Sequence, residues 1–231
     1  MTSPKPLRVM VVGPCQVGKS TLINVLIRSR RAKTGDGMKP CSQRCREFRS
    51  PCKRLVFVDA PGINAEDDHD LVVEEGFERC DAAVFVATGI RQLSQAELRL
   101  GGLIARKRIP TVLVVNCWPN GWDMNGDPER LRGDVGGTIQ GQFSNLGGKV
   151  IRCEKLNIEW AAAARGILPK TRAEKLIYEF GGGSAESRDE LELRSRVQEL
   201  EKLLMPRAAE ALEQGSLEYS VLLSKFFNGW R

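Results

Sequence analysis

Leu7-Arg8-Val9-Met10-Val11-Val12-Gly13-Pro14-Cys15-Gln16-Val17-Gly18-Lys19-Ser20-Thr21-Leu22-Ile23-Asn24-Val25-Leu26 reads as a buried strand, a glycine-punctuated loop and the opening turns of a helix. The run Leu7–Val12 is apolar almost throughout, as in a strand covered on both faces. Gly13 and Gly18 bracket a loop that ends in Lys19-Ser20, and Leu22, Val25 and Leu26 then recur at helical spacing. Glycines at those two places let backbone N–H groups wrap a phosphate, and the helix N-terminus adds its positive end. A lysine there can bridge phosphate oxygens, and the serine hydroxyl can ligate Mg²⁺. Both the pattern and the strand–loop–helix context it needs are present, which assigns Gly13, Pro14, Cys15, Gln16, Val17, Gly18, Lys19, Ser20 and Thr21 to a nucleoside-triphosphate site.

Outward from this loop, apolar runs recur at Leu55–Val58, Ala82–Ala87, Val112–Val115 and Val150–Ile151, separated by longer segments of helical spacing such as Leu98, Leu100, Leu103 and Ile104. The alternation predicts a three-layer α/β P-loop NTPase domain with a mainly parallel central sheet over residues 1–183. Gly181-Gly182-Gly183-Ser184 punctuates the chain, and 184–231 is expected to be a C-terminal helical extension. Within it, Leu193, Val197, Leu200 and Leu204 predict one long amphipathic helix up to Pro206. An apolar tail from Leu217 to Phe227 then calls for a surface to cover.

The strand Leu55–Val58 delivers Asp59-Ala60-Pro61-Gly62, with the aspartate about forty residues after the phosphate loop. Asp59 is placed to hold Mg²⁺ through water, and the Gly62 N–H to meet the γ-phosphate. Together the two motifs resemble those of Ras-like GTPases. The stretches Val58 to Ala65, Cys80 to Val86 and Leu93 to Glu97 resemble the GTPase domain of bacterial dynamin-like proteins and their relatives, over about residues 7–116. That resemblance implies GTP/GDP and Mg²⁺ as ligands. It also implies a first-switch hydroxyl capping the metal, for which Ser42 is the candidate and Thr34 the second choice. Lys19, Gln16 and Ser42 become the catalytic candidates, and Ser20, Ser42 and Asp59 the metal ligands.

The chain departs from the GTPase pattern twice. After the strand Thr111–Val115, Asn116 keeps the first place of the usual Asn-Lys-x-Asp base-reading motif, but Cys117-Trp118-Pro119 follow. Asn120-Gly121-Trp122-Asp123 restores Asn-x-x-Asp four residues late. Losing the paired acceptor weakens discrimination of guanine from adenine. The residue after Gly62, often a water-orienting glutamine, is Ile63, which has no hydrogen-bonding side chain. Slow intrinsic hydrolysis is expected, with the missing group supplied by Gln16, by His69, or by an arginine such as Arg44 or Arg46 from a second subunit. An ATP-using P-loop enzyme and a degenerate GTPase acting as a nucleotide-binding module are the alternatives.

The 231 residues carry a formal net charge of +6 and seven cysteines. Arg28 to Arg54 is strongly basic, which suggests an anionic partner or a solvated loop. Cys41, Cys45 and Cys52 lack paired metal-ligand spacing, and an odd count of thiols on apolar runs suits a reducing compartment. No apolar run is long enough for a transmembrane segment. A cytoplasmic protein is expected, with a homodimer or protein partner reached through the switch regions or the C-terminal helix.

Overall fold

The structure is a computed structural model that describes residues 5–34, 44–51, 54–63, 69–117, 135–181 and 185–204. Six strands form one sheet: β1 (Leu7–Val12), β2 (Arg46–Arg49), β3 (Leu55–Asp59), β4 (Ala82–Thr88), β5 (Thr111–Asn116) and β6 (Val150–Leu156), in the order β2-β3-β1-β4-β5-β6. All neighbours run parallel except β2, which pairs antiparallel with β3 at the edge, Arg46 opposite Asp59 and Arg49 opposite Val56. β2 carries no apolar run, because an edge strand of exposed arginines is under little demand to bury side chains. Periodicity gave no hint of it.

Strand alternation sorts the core into two layers. Val9 and Val11 of β1, Val84 and Val86 of β4, and Val112 and Val114 of β5 face one layer, which α1 (Lys19–Leu26) and α5 (Ile158–Ala164) close with Leu22, Ile23, Ala161 and Ala162. Met10, Val12, Phe85, Leu113 and Val115 face the other, closed by α2 (His69–Phe77), α3 (Gln95–Arg106) and α4 (Val135–Asn145). There Phe85 of β4 meets Phe143 of α4 edge-on, centroids 5.5 Å apart. The three-layer expectation therefore holds.

Helix α6 (Lys170–Gly181) leads to α7 (Ala185–Arg194) and α8 (Val197–Leu204). The single long helix expected from the sequence is two: it breaks at Ser195-Arg196, where Arg196 adopts φ 58°. Leu193 is exposed, whereas Leu191, Val197, Leu200 and Leu204 are buried in the same two layers that cover the sheet. Arg165, at the end of α5, ties this region down. Its guanidinium donates to Glu192 at 2.8 Å, to Glu201 at 2.6 Å and to the Val25 carbonyl at 3.0 Å. The apolar tail from Leu217 to Phe227 lies outside the described residues.

Candidate functional site

The phosphate loop joins the C-terminal end of β1 to α1. It is held open by backbone shapes that L-residues resist: Gly13 has φ 143°, Gly18 φ 99° and Gln16, although not glycine, φ 62°. A Cβ on Gly13 would collide with the Val86 carbonyl of β4, so this glycine lets loop and sheet pack together. Gln16 stands exposed at the loop's outer turn.

Lys19 is buried to 7% exposure, and its ammonium donates to the carbonyls of Gly13 at 3.1 Å and Pro14 at 2.6 Å. The charge is thereby folded over the loop it serves. One residue on, the Ser20 hydroxyl donates to Asp59 Oδ2 at 2.8 Å. Residues 39 positions apart thus meet where β1 and β3 end side by side. A hydroxyl and a carboxylate at this separation, beside a helix N-terminus, are the hard oxygen donors that Mg²⁺ accepts together with phosphate oxygens. Ser20 and Asp59 fit that ion.

Gly62 presses on the loop from the β3 side. A Cβ there would lie 2.8 Å from Cys15 Cα and 3.0 Å from Cys15 N, and would strike the Cys15 sulfur. The Ile63 N–H reaches the Gly13 carbonyl at 3.4 Å, and Ile63 pairs in parallel with Pro14 as an isolated bridge. The Ile63 side chain is 4% exposed and belongs to the core. Its absence from water chemistry therefore has a positive cause: it clamps the β3 end to the phosphate loop.

Asn116 closes the third side. Its Nδ2 donates to the Val17 carbonyl at 3.0 Å, and its Oδ1 accepts the Ile158 N–H at 3.2 Å. One side chain thus joins the phosphate loop, the end of β5 and the start of α5. The sequence singles out Asn116 but not its partner turn: β6 runs on to Leu156, Asn157 caps α5 by accepting the Trp160 N–H at 3.0 Å, and Ile158 packs near Gly18. Trp160, Ala161 and Ala162 are buried inside α5. An N-cap asparagine at a strand end was the signal available.

Cys117, standing where the lysine of the base motif is usual, is fully buried, and burial pushes its thiol up to about 12. It is a neutral core residue, with its N–H bonded to the Leu156 carbonyl at 2.7 Å. Thr34 is exposed at the end of a described stretch. Ser42, Trp118, Asn120, Trp122 and Asp123 lie outside the described residues, as does the side chain of His69. Arg44 and Arg46 are exposed, at and just before the start of β2. Among the described residues Cys15, Cys45, Cys80, Cys117 and Cys153 form no disulfide, and no three of the described His, Cys, Asp or Glu side chains group as metal ligands.

A parallel sheet with Lys19, Ser20, Asp59 and Gly62 gathered at its carboxyl end defines the class: this chain carries a P-loop GTPase domain. More particularly, residues 8–117 match the family described as 50S ribosome-binding GTPase. The chain is 28% identical over 125 residues to GTPase Der of Campylobacter hominis, covering 49% of this chain and 26% of that protein. It is 31% identical over 127 residues to GTPase Der of Chlamydia muridarum, covering 50% of this chain and 26% of that protein. The chain thus spans about a quarter of the length of these relatives. Among solved structures, Era in complex with MgGDPNP and nucleotides 1506–1542 of 16S ribosomal RNA shares the fold, with TM-score 0.50, 16% identity, 68% of this chain and 52% of that one. The likeness to dynamin-like proteins stays at the level of the shared P-loop GTPase domain, since these matches are of the Der and Era kinds.

Proposed function

We propose that the protein is a Mg²⁺-dependent guanine-nucleotide-binding switch that hydrolyses GTP slowly and is accelerated by a partner or by a second copy of itself. The observation that carries this reading is the Ser20–Asp59 hydrogen bond at 2.8 Å, under a Lys19 ammonium already turned into the loop. Lys19 would hold the β- and γ-phosphate oxygens, the Gly13–Thr21 backbone would cradle the β-phosphate, and Ser20 and Asp59 would hold the ion. Mg²⁺, when bound, would neutralise charge between the two outer phosphates. Gly62, already against Cys15, would offer its N–H to the γ-phosphate, so that loss of that group frees the segment after it.

Slow turnover follows from Ile63. Buried in the core and without polar atoms, it leaves the attacking water to Gln16 or to a group brought by a partner, and a positioned polar group is worth about 10²–10⁴-fold. Ser42 or Thr34 would complete the metal's ligands from the first switch. A cytoplasmic location accords with the lack of any described helix long and apolar enough to cross a membrane.

One observation favours a second reading. The base-motif position after Asn116 is a buried neutral thiol, so base selection rests on groups other than a lysine there, as in a nucleotide-binding module without useful turnover. Calorimetry with GTP, GDP, ATP and ADP in Mg²⁺, followed by phosphate release, separates the readings. Tighter GTP than ATP binding with slow release of phosphate supports the switch, equal ATP binding with turnover overturns the guanine assignment, and binding with no release supports the module.

A further inference from the structure

We propose, resting on the nucleotide site assigned above, that Ser195, at the break between α7 and α8, is a positioning residue for the bound nucleotide. In an unbroken helix the Ser195 carbonyl would accept the N–H of Glu199, four residues on. Here the Glu199 N–H bonds instead to the Arg196 carbonyl at 3.0 Å. The Ser195 carbonyl is thereby released to accept the Asn157 N–H at 3.0 Å, from the turn between β6 and α5. That release depends on Arg196, whose φ of 58° lies in the left-handed region that side chains other than asparagine and aspartate rarely enter. A strained backbone persists only where its surroundings over-determine it, and such strain gathers at functional sites.

The break is held from both sides. Ser195 Oγ donates to the Glu192 carbonyl at 2.6 Å and accepts the Val197 N–H at 3.4 Å, so one hydroxyl closes α7 and opens α8. Leu191, Ser195 and Val197 are fully buried, and Arg165 grips Glu192 on α7 and Glu201 on α8. Ser195 therefore presents its carbonyl from a fixed frame.

From that carbonyl a run of hydrogen bonds leads to the phosphate loop. Asn157 N–H meets Ser195, the next N–H, of Ile158, meets Asn116 Oδ1 at 3.2 Å, and Asn116 Nδ2 meets the Val17 carbonyl at 3.0 Å. Ile158 Cδ1 lies 3.5 Å from where a Cβ on Gly18 would stand, so the same turn also packs against the loop's last glycine. A shift of the turn moves both. Asn157 is fully buried, so its N–H has no water to turn to if the Ser195 carbonyl withdraws.

The test is a pair of substitutions at Arg196 in the full chain. Valine resists φ 58° whereas asparagine tolerates it, and both remove the guanidinium that lies 3.9 Å from Glu154. Arg196→Val should release methylanthraniloyl-GDP about three- to tenfold faster than the parent and raise the calorimetric Kd for GDP and GTP by a similar factor. Arg196→Asn should stay within about twofold of the parent. Single-turnover hydrolysis of preloaded GTP should be unchanged in both, because the run of bonds leads to Val17 and not to Gly62. A lower urea midpoint for Arg196→Val with nucleotide release unchanged, or equal release by the two variants, overturns the proposal. Hydrogen exchange on the parent chain supplies a second measurement that needs no variant. Saturating GDP should slow exchange at the Asn157 and Val197 amides at least about tenfold more than at Leu103 and Ile104 in α3. Equal slowing at the four amides overturns the proposal. A parent chain that binds no labelled GDP fails the nucleotide-site reading and this proposal with it, whereas a binding parent whose two variants behave alike fails the proposal alone.

Discussion

Lys19 combines two demands that single substitutions separate. Its ammonium is the point charge for phosphates, yet two loop carbonyls already hold it. Lys19→Ala should abolish detectable triphosphate binding by calorimetry while leaving the circular-dichroism spectrum native, since it opens no core layer. Affinity equal to the parent chain would remove the loop from the nucleotide site. Gly62 supplies the complementary case. Gly62→Ala drives a methyl against Cys15, and the clashes at 2.8 and 3.0 Å are with backbone atoms. Adding Cys15→Ala therefore should not restore nucleotide binding or turnover; recovery in the double variant would mean that the sulfur alone set the fit. At this scale the sequence was legible for where Lys19, Ser20, Asp59 and Gly62 fall, because their spacing after a strand puts all four at one end of the sheet. It was silent about Ile63 as a clamp, because burial is a property of neighbours.

Elements meet through a few polar ties whose loss should be felt far from the side chain that makes them. Asn116 bonds the phosphate loop and the first turn of α5 at once. Asn116→Ala should cost about 1–3 kcal/mol in urea unfolding, the penalty for leaving buried partners unpaired. It should also weaken GDP and GTP alike, because it loosens the loop rather than a γ-phosphate contact. Selective loss of GTP would argue against that role. Arg165 plays the same part for α7 and α8. Burial by itself would raise the Glu192 carboxyl, but hydrogen bonding and charge from Arg165 outweigh it and leave the group below the usual glutamate range. A depressed folded-state value means that this stabilisation is fully present above the unfolded value of about 4.3 and is lost as pH falls through the lower folded one. Acid unfolding below about pH 4.3 should therefore be less steep in Glu192→Gln than in the parent. Identical acid limbs would show that Arg165 relies on Glu201 alone. The missed strand β2 and the broken α7–α8 helix belong here too: an edge strand has no periodic apolar face to read, and the φ 58° of Arg196 leaves no mark in composition.

Across the whole molecule, the Lys19, Ser20 and Asp59 side chains gather at one end of the sheet, where β1 and β3 finish side by side. At that end Ile63, buried and without polar side-chain atoms, leads to a kinetic expectation. Specific GTPase activity should be low and flat in dilute protein and should rise with protein concentration or an added partner. An inserted arginine, for which Arg44 and Arg46 at the head of β2 are exposed candidates, contributes roughly 10³–10⁵-fold in systems that use one. Rapid hydrolysis by a monomer at the lowest concentration, checked by sedimentation with a non-hydrolysable GTP analogue, would instead point to an internal group such as Gln16. The sequence by itself determined the α/β class, five of the six strands and the loop that carries Lys19 and Ser20 after β1, because local spacing fixes both a strand and the glycine-punctuated turn that follows it. Only the tertiary structure decided that Ile63 and Cys117 are core and that Asn157 and Ile158 form the turn beside Asn116, because those facts depend on which strand lies beside which.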